Sequence, residues 1–177
     1  MEDLLIWVDE KDRETGYGEK LLTHREERLH RAFSVFIYDR GSGKMLLHRR
    51  ADGKYHSGGL WTNACCSHPR KGEQTEAAVL RRLDEELGMK EVRRSSLQEL
   101  GSFQYYKKYE SCAEHEIDHV FFLPVEEAPA LSPDPEEIRD ICWIRMDDLR
   151  QWLSDRPQDF TAWFSRALDL VQRHMQE

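Results

Sequence analysis

The chain has 177 residues, 39% of them hydrophobic and 34% charged, with a formal net charge of −8. That length suits one domain with a sizeable core, and the acidic balance excludes a nucleic-acid-coating surface without forbidding a local basic pocket. No apolar run approaches the ~20 residues of a membrane helix, and the start MEDLLIWVDE lacks the basic and apolar regions of a secretory signal. A single cytoplasmic domain over residues 1–177, a monomer or weak homodimer with no nucleic-acid or membrane partner, is expected.

In chain order, Ala32 to Tyr38 is β-branched and aromatic, Gly41 to Gly43 forms a turn, and Lys44 to Arg49 resumes as a hairpin partner. Ala51 to Gly59, with three glycines, is a loop. Glu73 to Leu87 predicts a helix stopped by Gly88 in a left-handed C-terminal position. Leu97 to Tyr109 and Ala113 to Val125 read as strands, Ala128 to Pro135 as a loop, and Ile141 to Arg145 as a further strand. From Asp147 the chain is helical, broken near Pro157, and amphipathic at its end. Strands on either side of one central helix, with a C-terminal helix, give an α+β or α/β sandwich.

The segment Leu60 to Glu73, LWTNACCSHPRKGE, places the Cys66 thiol two residues before the His68 imidazole and leads into a helix carrying carboxylates. That combination indicates a reactive centre. A structural zinc site of Cys66, His68 and a distant cysteine is the rival reading. Of the other cysteines, Cys65 is read as packing, and with Cys112 and Cys142 it is expected as a free thiol.

On the helix, Val79, Leu80, Leu83 and Leu87 share a stripe that must face the core. Glu86 lies about 60° and Arg82 about 100° to one side of Leu83, which puts Glu86 at the rim of the stripe. An i,i+4 ion pair is one explanation. The other has Glu86 on a hard cation and Arg82 against a phosphate. Arg81 and Glu85 read as a solvated face.

In the strand Ala113 to Val120, Glu114, Glu116 and Asp118 share one side, with His115, Ile117 and His119 on the other. Three acids on one face repel unless a cation or proton intervenes. Either this is an exposed edge strand, or it carries a metal site and a catalytic carboxyl, with His24, His30 and His68 available as partners. Among the basic residues Lys20, Arg49, Arg50, Lys54 and Arg82, three flank the glycine-bearing loop. That position suits a diphosphate clamp.

Together these residues resemble type 1 isopentenyl diphosphate isomerase, a branch of the Nudix superfamily. The resemblance runs from about Lys20 to Trp163, through EKLLTHREERLHRAFS, RRADGKYHSGGLWTNACCSHP, the helix, EHE and Trp163. Against the Nudix pattern GX5EX7REUXEEXGU the chain keeps Glu73, Arg81, Leu83, Glu85, Glu86, Gly88 and Met89. It departs at Ser67 and Arg82, and the isomerases share the loss of an acid at the second position. The resemblance implies a Nudix-type α/β/α sandwich with mixed sheets and a C-terminal helical segment.

The same resemblance implies a divalent metal (Mn, Mg or Zn) on His24, His30, His68, Glu114 and Glu116. Cys66 would be one acid/base, and Glu116, assisted by Tyr105, the other. Lys20, Arg50, Lys54 and Arg82 would hold the diphosphate of an allylic or homoallylic substrate, with magnesium on Glu86. Trp163 would face a carbocation.

That chemistry is coherent. Moving a double bond by one carbon needs one proton delivered and another removed, which suits two acid/base groups on opposite faces. An indole face stabilises the intervening cation without trapping it. With an unperturbed thiol pKa of ~8.5, Cys66 needs a positive neighbourhood to act as a thiolate. A Nudix hydrolase of a diphosphate is the competing reading, which Arg82 disfavours. A non-enzymatic, metal-stabilised binding module leaves Cys66, Tyr105 and Trp163 unexplained.

Overall fold

The computed structural model describes residues 3–177. Its strands are β1 (Leu4–Val8), β2 (Glu14–Glu19), β3 (His30–Asp39), β4 (Lys44–Arg50), β5 (Trp61–Thr62), β6 (Cys65–Ser67), β7 (Gln98–Lys108), β8 (Ala113–Val125) and β9 (Ile138–Arg145). The helices are α1 (Lys20–Arg25), α2 (Thr75–Leu87), α3 (Met146–Asp155) and α4 (Phe164–Gln176). Among the described residues no helix is long and apolar enough to cross a membrane.

Strand β8 pairs parallel with β3 along ten rungs, from His30↔Glu116 to Asp39↔Val125, and antiparallel with β7. It is therefore central, and the edge-strand reading of its acids is overturned. Strands β3 and β4 share only the rungs Tyr38↔Met45 and Asp39↔Lys44 before they part. Beyond that point β4 pairs with β9, and β3 takes up β6. The part of the sheet where the two strands diverge holds the cavity described below.

Period-2 alternation builds two cores on opposite faces of this sheet. Val35, Ile37, Phe121 and Leu123 pack on Val79, Leu83 and Leu87 of α2. Phe36, Met45, Val120 and Phe122 pack on Leu149 of α3 and on Phe164, Ala167, Leu168 and Val171 of α4. The result is the expected α/β/α sandwich with mixed strand pairing.

Several boundaries and faces differ from expectation. Helix α2 starts at Thr75, because Glu73 is held in the preceding turn: its Oε2 accepts from the Arg70 N–H at 2.9 Å, and its own N–H donates to Arg70 O. Gly88 ends the helix at φ 71, as predicted. Strand β9 begins at Ile138, upstream of the expected Ile141, because pairing with β4 extends it.

The buried arc of α2 is also turned from its expected centre. Leu80 is only half-buried, whereas Ala78 and Glu86 are buried. The segment 132–134 covers the Glu86 side, with Ser132 N donating to Leu87 O and Asp134 N to Glu86 O. Arg81 is not part of a solvated face; its guanidinium donates twice to Glu73, at 2.8 and 2.9 Å.

The N-terminal β1–β2 hairpin and α1 carry weak sequence signals. Strand β2 is short and mostly exposed and contains two glycines. Gly18 serves a close approach, since a Cβ there would lie 2.2 Å from the Trp7 ring.

Candidate active site

The register of the central strands assembles the first group. His30 opens β3 and sits opposite Glu116 of β8, which sits opposite Tyr105 of β7. Helix α1 adds His24 from one side, and the chain leaving β6 adds His68. The Nε2 atoms of His68, His30 and His24 lie 3.0, 3.3 and 3.9 Å from the same oxygen, Glu116 Oε1.

The tautomers follow from the other ring nitrogens. His24 Nδ1–H donates to Lys20 O at 2.6 Å, and His30 Nδ1–H donates to Arg28 O at 2.8 Å. Each Nε2 therefore presents a lone pair, and among the described residues neither has a hydrogen-bond partner. Burial pushes the imidazolium pKa of His24 down to about 4 and that of His68 down to about 3. Burial works against ionisation of Glu116 too, but the His30 and His68 imidazoles outweigh it and hold the carboxyl well below its ordinary range. Lone pairs and an anionic oxygen converging with ligand atoms within 4.8 Å of one another fit a divalent cation.

Cys66 sits on the same cavity. Its thiol donates to Asn63 Oδ1 at 3.0 Å and accepts from Trp163 Nε1–H at 3.3 Å. The Asn63 amide is oriented by donating to Val35 O and Cys65 O, at 3.1 and 2.7 Å, so its oxygen must face the thiol. Burial and the Asp118 charge push the Cys66 pKa up to about 12, against a smaller opposing pull from Arg50. The expected positive neighbourhood is thus outweighed, and the sulfur is held as a thiol.

On the other side of the cavity Tyr105 Oη–H donates to Glu116 Oε2 at 2.7 Å, and the Tyr105 and Trp163 ring centroids are 6.2 Å apart. The two neighbouring rings thus link Cys66, through Trp163, to Glu116, through Tyr105.

The four expected cations, Lys20, Arg50, Lys54 and Arg82, all line the cavity. Arg50 is buried, its Nε has no acceptor among the described residues, and its guanidinium lies 5.6 Å from the Trp163 ring centroid. Lys20 is exposed to solvent over part of its surface. Burial around the ammonium, and the charges of Lys54, Arg82 and Arg50, lower its pKa. A cluster of like charges that includes an unsatisfied guanidinium N–H suits an anion.

Two expected ligands stand apart from the four-residue cluster. Glu114 accepts from Tyr109 Oη–H at 2.8 Å and lies 3.2 Å from His56 Nε2. Glu86 is ion-paired with Arg82 and does not line the cavity. The zinc rival is not assembled, since the cluster contains no cysteine among the described residues. Cys65 is fully buried in the α2-side core, as its packing role requires.

The cavity also contains His56, Asp118 and Glu137, which sequence reasoning did not assign. Asp118 accepts from Ser34 Oγ–H at 2.7 Å and leaves Oδ1 without a partner. Burial and the neighbouring Glu116 charge raise its pKa well above the ordinary range. Glu137 pairs with both Lys54 and Arg82. The position of Asp118 on the acidic face of β8 was a usable signal; His56 and Glu137 lie in loops and carried none.

This sandwich with its acid-bearing helix defines a Nudix domain, and residues 28–164 match the NUDIX domain family. A MutT NUDIX hydrolase from Burkholderia pseudomallei has the same fold, with a TM-score of 0.63 at 22% identity over 81% of this chain and 98% of its own. Sequence relatives are more specific. Isopentenyl-diphosphate Delta-isomerase 2 of Aromatoleum aromaticum is 44% identical over 97% of this chain and 87% of its own length. The isopentenyl-diphosphate Delta-isomerase of Photobacterium profundum is 44% identical over 97% of this chain and 95% of its own length. The chain belongs to the isopentenyl-diphosphate Delta-isomerase family within the Nudix fold.

Proposed function

We propose that residues 1–177 act as one domain that interconverts isopentenyl and dimethylallyl diphosphate, with Cys66 and Glu116 as the two proton-carrying groups. The observation that carries this reading is that Trp163 contacts Cys66 while the neighbouring Tyr105 contacts Glu116, in a cavity that four cations also line. Lys20, Arg50, Lys54 and Arg82 bind the diphosphate and direct the five-carbon chain inward. One group protonates a terminal carbon of the double-bond system, and the other removes a proton from the opposite end. Trp163 faces the tertiary cation between these steps, and no nucleophile other than the two reacting groups is required. Tyr105 orients Glu116 through its hydrogen bond.

His24, His30, His68 and Glu116, with Glu114 as a further carboxylate, would hold a divalent metal (manganese, magnesium or zinc), whose charge would fix Glu116 and tune its acidity. Glu86, once released from its ion pair with Arg82, would hold the magnesium that accompanies the diphosphate. Phosphoanhydride hydrolysis, the reaction of many Nudix domains, is disfavoured by Arg82, a cation where that chemistry uses an acid.

Turnover in deuterated water is the test. Label should enter the allylic product, and Cys66→Ala and Glu116→Gln should each lower turnover by ~10³-fold or more while circular dichroism stays unchanged. Full activity in both variants, or release of phosphate in place of isomerisation, sinks the reading.

A further inference from the structure

The outer face of β8 carries polar groups that the proposed chemistry does not use. His119 lies between two carboxylates, with Nε2 at 2.7 Å from Asp12 Oδ2 and Nδ1 at 2.6 Å from Glu99 Oε1. A neutral imidazole has one N–H, so contacts this short at both nitrogens require the imidazolium. Arg31 completes the cluster, its Nε–H donating to Asp12 Oδ1 at 2.9 Å and a terminal N–H to Asp12 O at 2.8 Å.

Asp12 adopts φ 58 in the turn between β1 and β2, a left-handed conformation that costs a side chain other than glycine some strain. The groups around His119 are Asp12 from that turn and Glu99 from β7. Arg31 of β3 and Glu14 of β2 stand behind Asp12, and Asp118 lies on the opposite face of β8. Burial opposes the charge on His119, but the two carboxylates outweigh it and raise the pKa above the ordinary histidine value.

The hairpin needs such a fastening. Its backbone ties to the rest of the sheet are few: the rung Trp7↔His30, the bond from Val8 N to Leu29 O, the bridge Leu5↔Arg70 and the bond from Lys71 N to Leu4 O. Its apolar contact is a small cluster of Ile6 and Val8 on Ile117. Helix α1 follows β2 directly and carries Lys20 and His24. Beyond α1, Glu27 accepts from Tyr106 Oη–H at 2.7 Å and pairs with Lys108, again at a left-handed residue (φ 57). The segment is therefore pinned at its turn and at its exit.

We propose that Asp12 and His119, supported by Arg31 and Glu99, form a charged latch that fastens the β1–β2 hairpin across the back of β8 and so positions Lys20 and His24 in the site. They are positioning residues that act through α1. The link to catalysis rests on the roles given above to Lys20 and His24; the fastening itself does not. The latch is fully formed while His119 is protonated and is lost as pH rises through its raised folded-state pKa, so its failure lies on the alkaline side.

Hydrogen exchange read by mass spectrometry, metal titration with Mn²⁺ and steady-state kinetics test this on the full chain, at about pH 6.5 and about pH 9. In the wild type, protection over residues 14–25, corrected for intrinsic rates, should fall several-fold at the higher pH. His119→Ala and Asp12→Asn should lose that protection at both pH values and raise KM and the Mn²⁺ dissociation constant several-fold, with kcat at saturation nearly unchanged. His119→Lys, which keeps its charge at the higher pH, should restore binding and remove the pH dependence.

Wild-type protection, KM and Mn²⁺ affinity in both loss variants overturn the latch, as does protection lost evenly along the chain. Altered exchange with unchanged KM and Mn²⁺ affinity overturns the positioning of Lys20 and His24. An inactive Cys66→Ala with normal exchange over residues 14–25 is the expected result and separates the latch from the chemistry; an active one breaks the proposed mechanism alone.

Discussion

The two faces of β8 use the same residue types to opposite ends. Outside, His119 satisfies both ring nitrogens, and His115 Nδ1–H donates to Glu27 O at 3.1 Å. Inside, His24 Nε2, His30 Nε2 and Asp118 Oδ1 are buried without partners among the described residues. An unpaired buried polar group costs about 1–3 kcal/mol, so a cluster of them persists only where something else repays the cost. Polar groups that have found partners hold the N-terminal segment in place. Those without are the groups to which the proposed function assigns a metal ion and a substrate.

The contrast can be broken most severely from the inner face. Glu116→Gln removes the negative charge around which three imidazoles gather and to which Tyr105 donates, and it should lower kcat by ~10³-fold or more and abolish metal-dependent stabilisation. Label exchange and thermal melts with and without Mn²⁺ check both effects. Chelation alone comes next. If the site holds a cation, wild-type protein with metal at about 100 times its dissociation constant should gain about 2.7 kcal/mol over chelated protein, an increment that His30→Ala should erase. No difference between the two melts would mean that the inner-face lone pairs serve some other end.

A buried histidine outside both clusters gives a smaller effect of defined sign. His48 donates Nδ1–H to Ala64 O at 3.0 Å, and burial depresses its imidazolium pKa to about 4. The unfolded chain takes up this proton first, so stability should decline as pH falls from about 6.5 toward 4, by about 1–3 kcal/mol. His48→Asn keeps a donor for Ala64 and cannot be protonated, so acid denaturation followed by fluorescence should show a shallower decline.

The outer face should give the smallest loss. His119→Gln is expected to cost about 1–2 kcal/mol near neutral pH, in urea denaturation. The difference from wild type should shrink as pH rises through the raised His119 pKa, opposite in direction to His48. A cost as large as that of an inner-face ligand would erase the distinction between the faces.

Much of the sandwich was legible because its core strands alternate cleanly and Gly88 marks the end of α2. Strand β8 was delimited from sequence at both ends, and its alternation put the three acids on one face correctly. The hairpin β1–β2 was not legible, since its glycines and exposed positions give no period, and its reason for folding, the Trp7 ring lying over Gly16 and Gly18, crosses between strands. Glu86 was placed at a rim when it is 3% exposed, because the segment that buries it lies some 46–48 residues later in the chain.

Among the site residues, His24, His30, His68 and Glu116 were each legible as candidate ligands, and the four cations as a candidate clamp. Spacing and periodicity did not unite them; the family resemblance alone implied that they belong together. What the amino-acid order determines by itself is local: which side chains share a strand face, where a helix must stop, and which thiol and imidazole lie two residues apart. Tertiary structure alone decided that His30, Glu116 and Tyr105 form one row across three strands, that Cys66 is a half-buried thiol hydrogen-bonded by Trp163, and that Glu114 turns toward Tyr109 and His56. The reason is physical. Strand register, burial and the charge of neighbours distant in the chain set the position and protonation of each group, and none of these exists until the sheet has closed around the cavity.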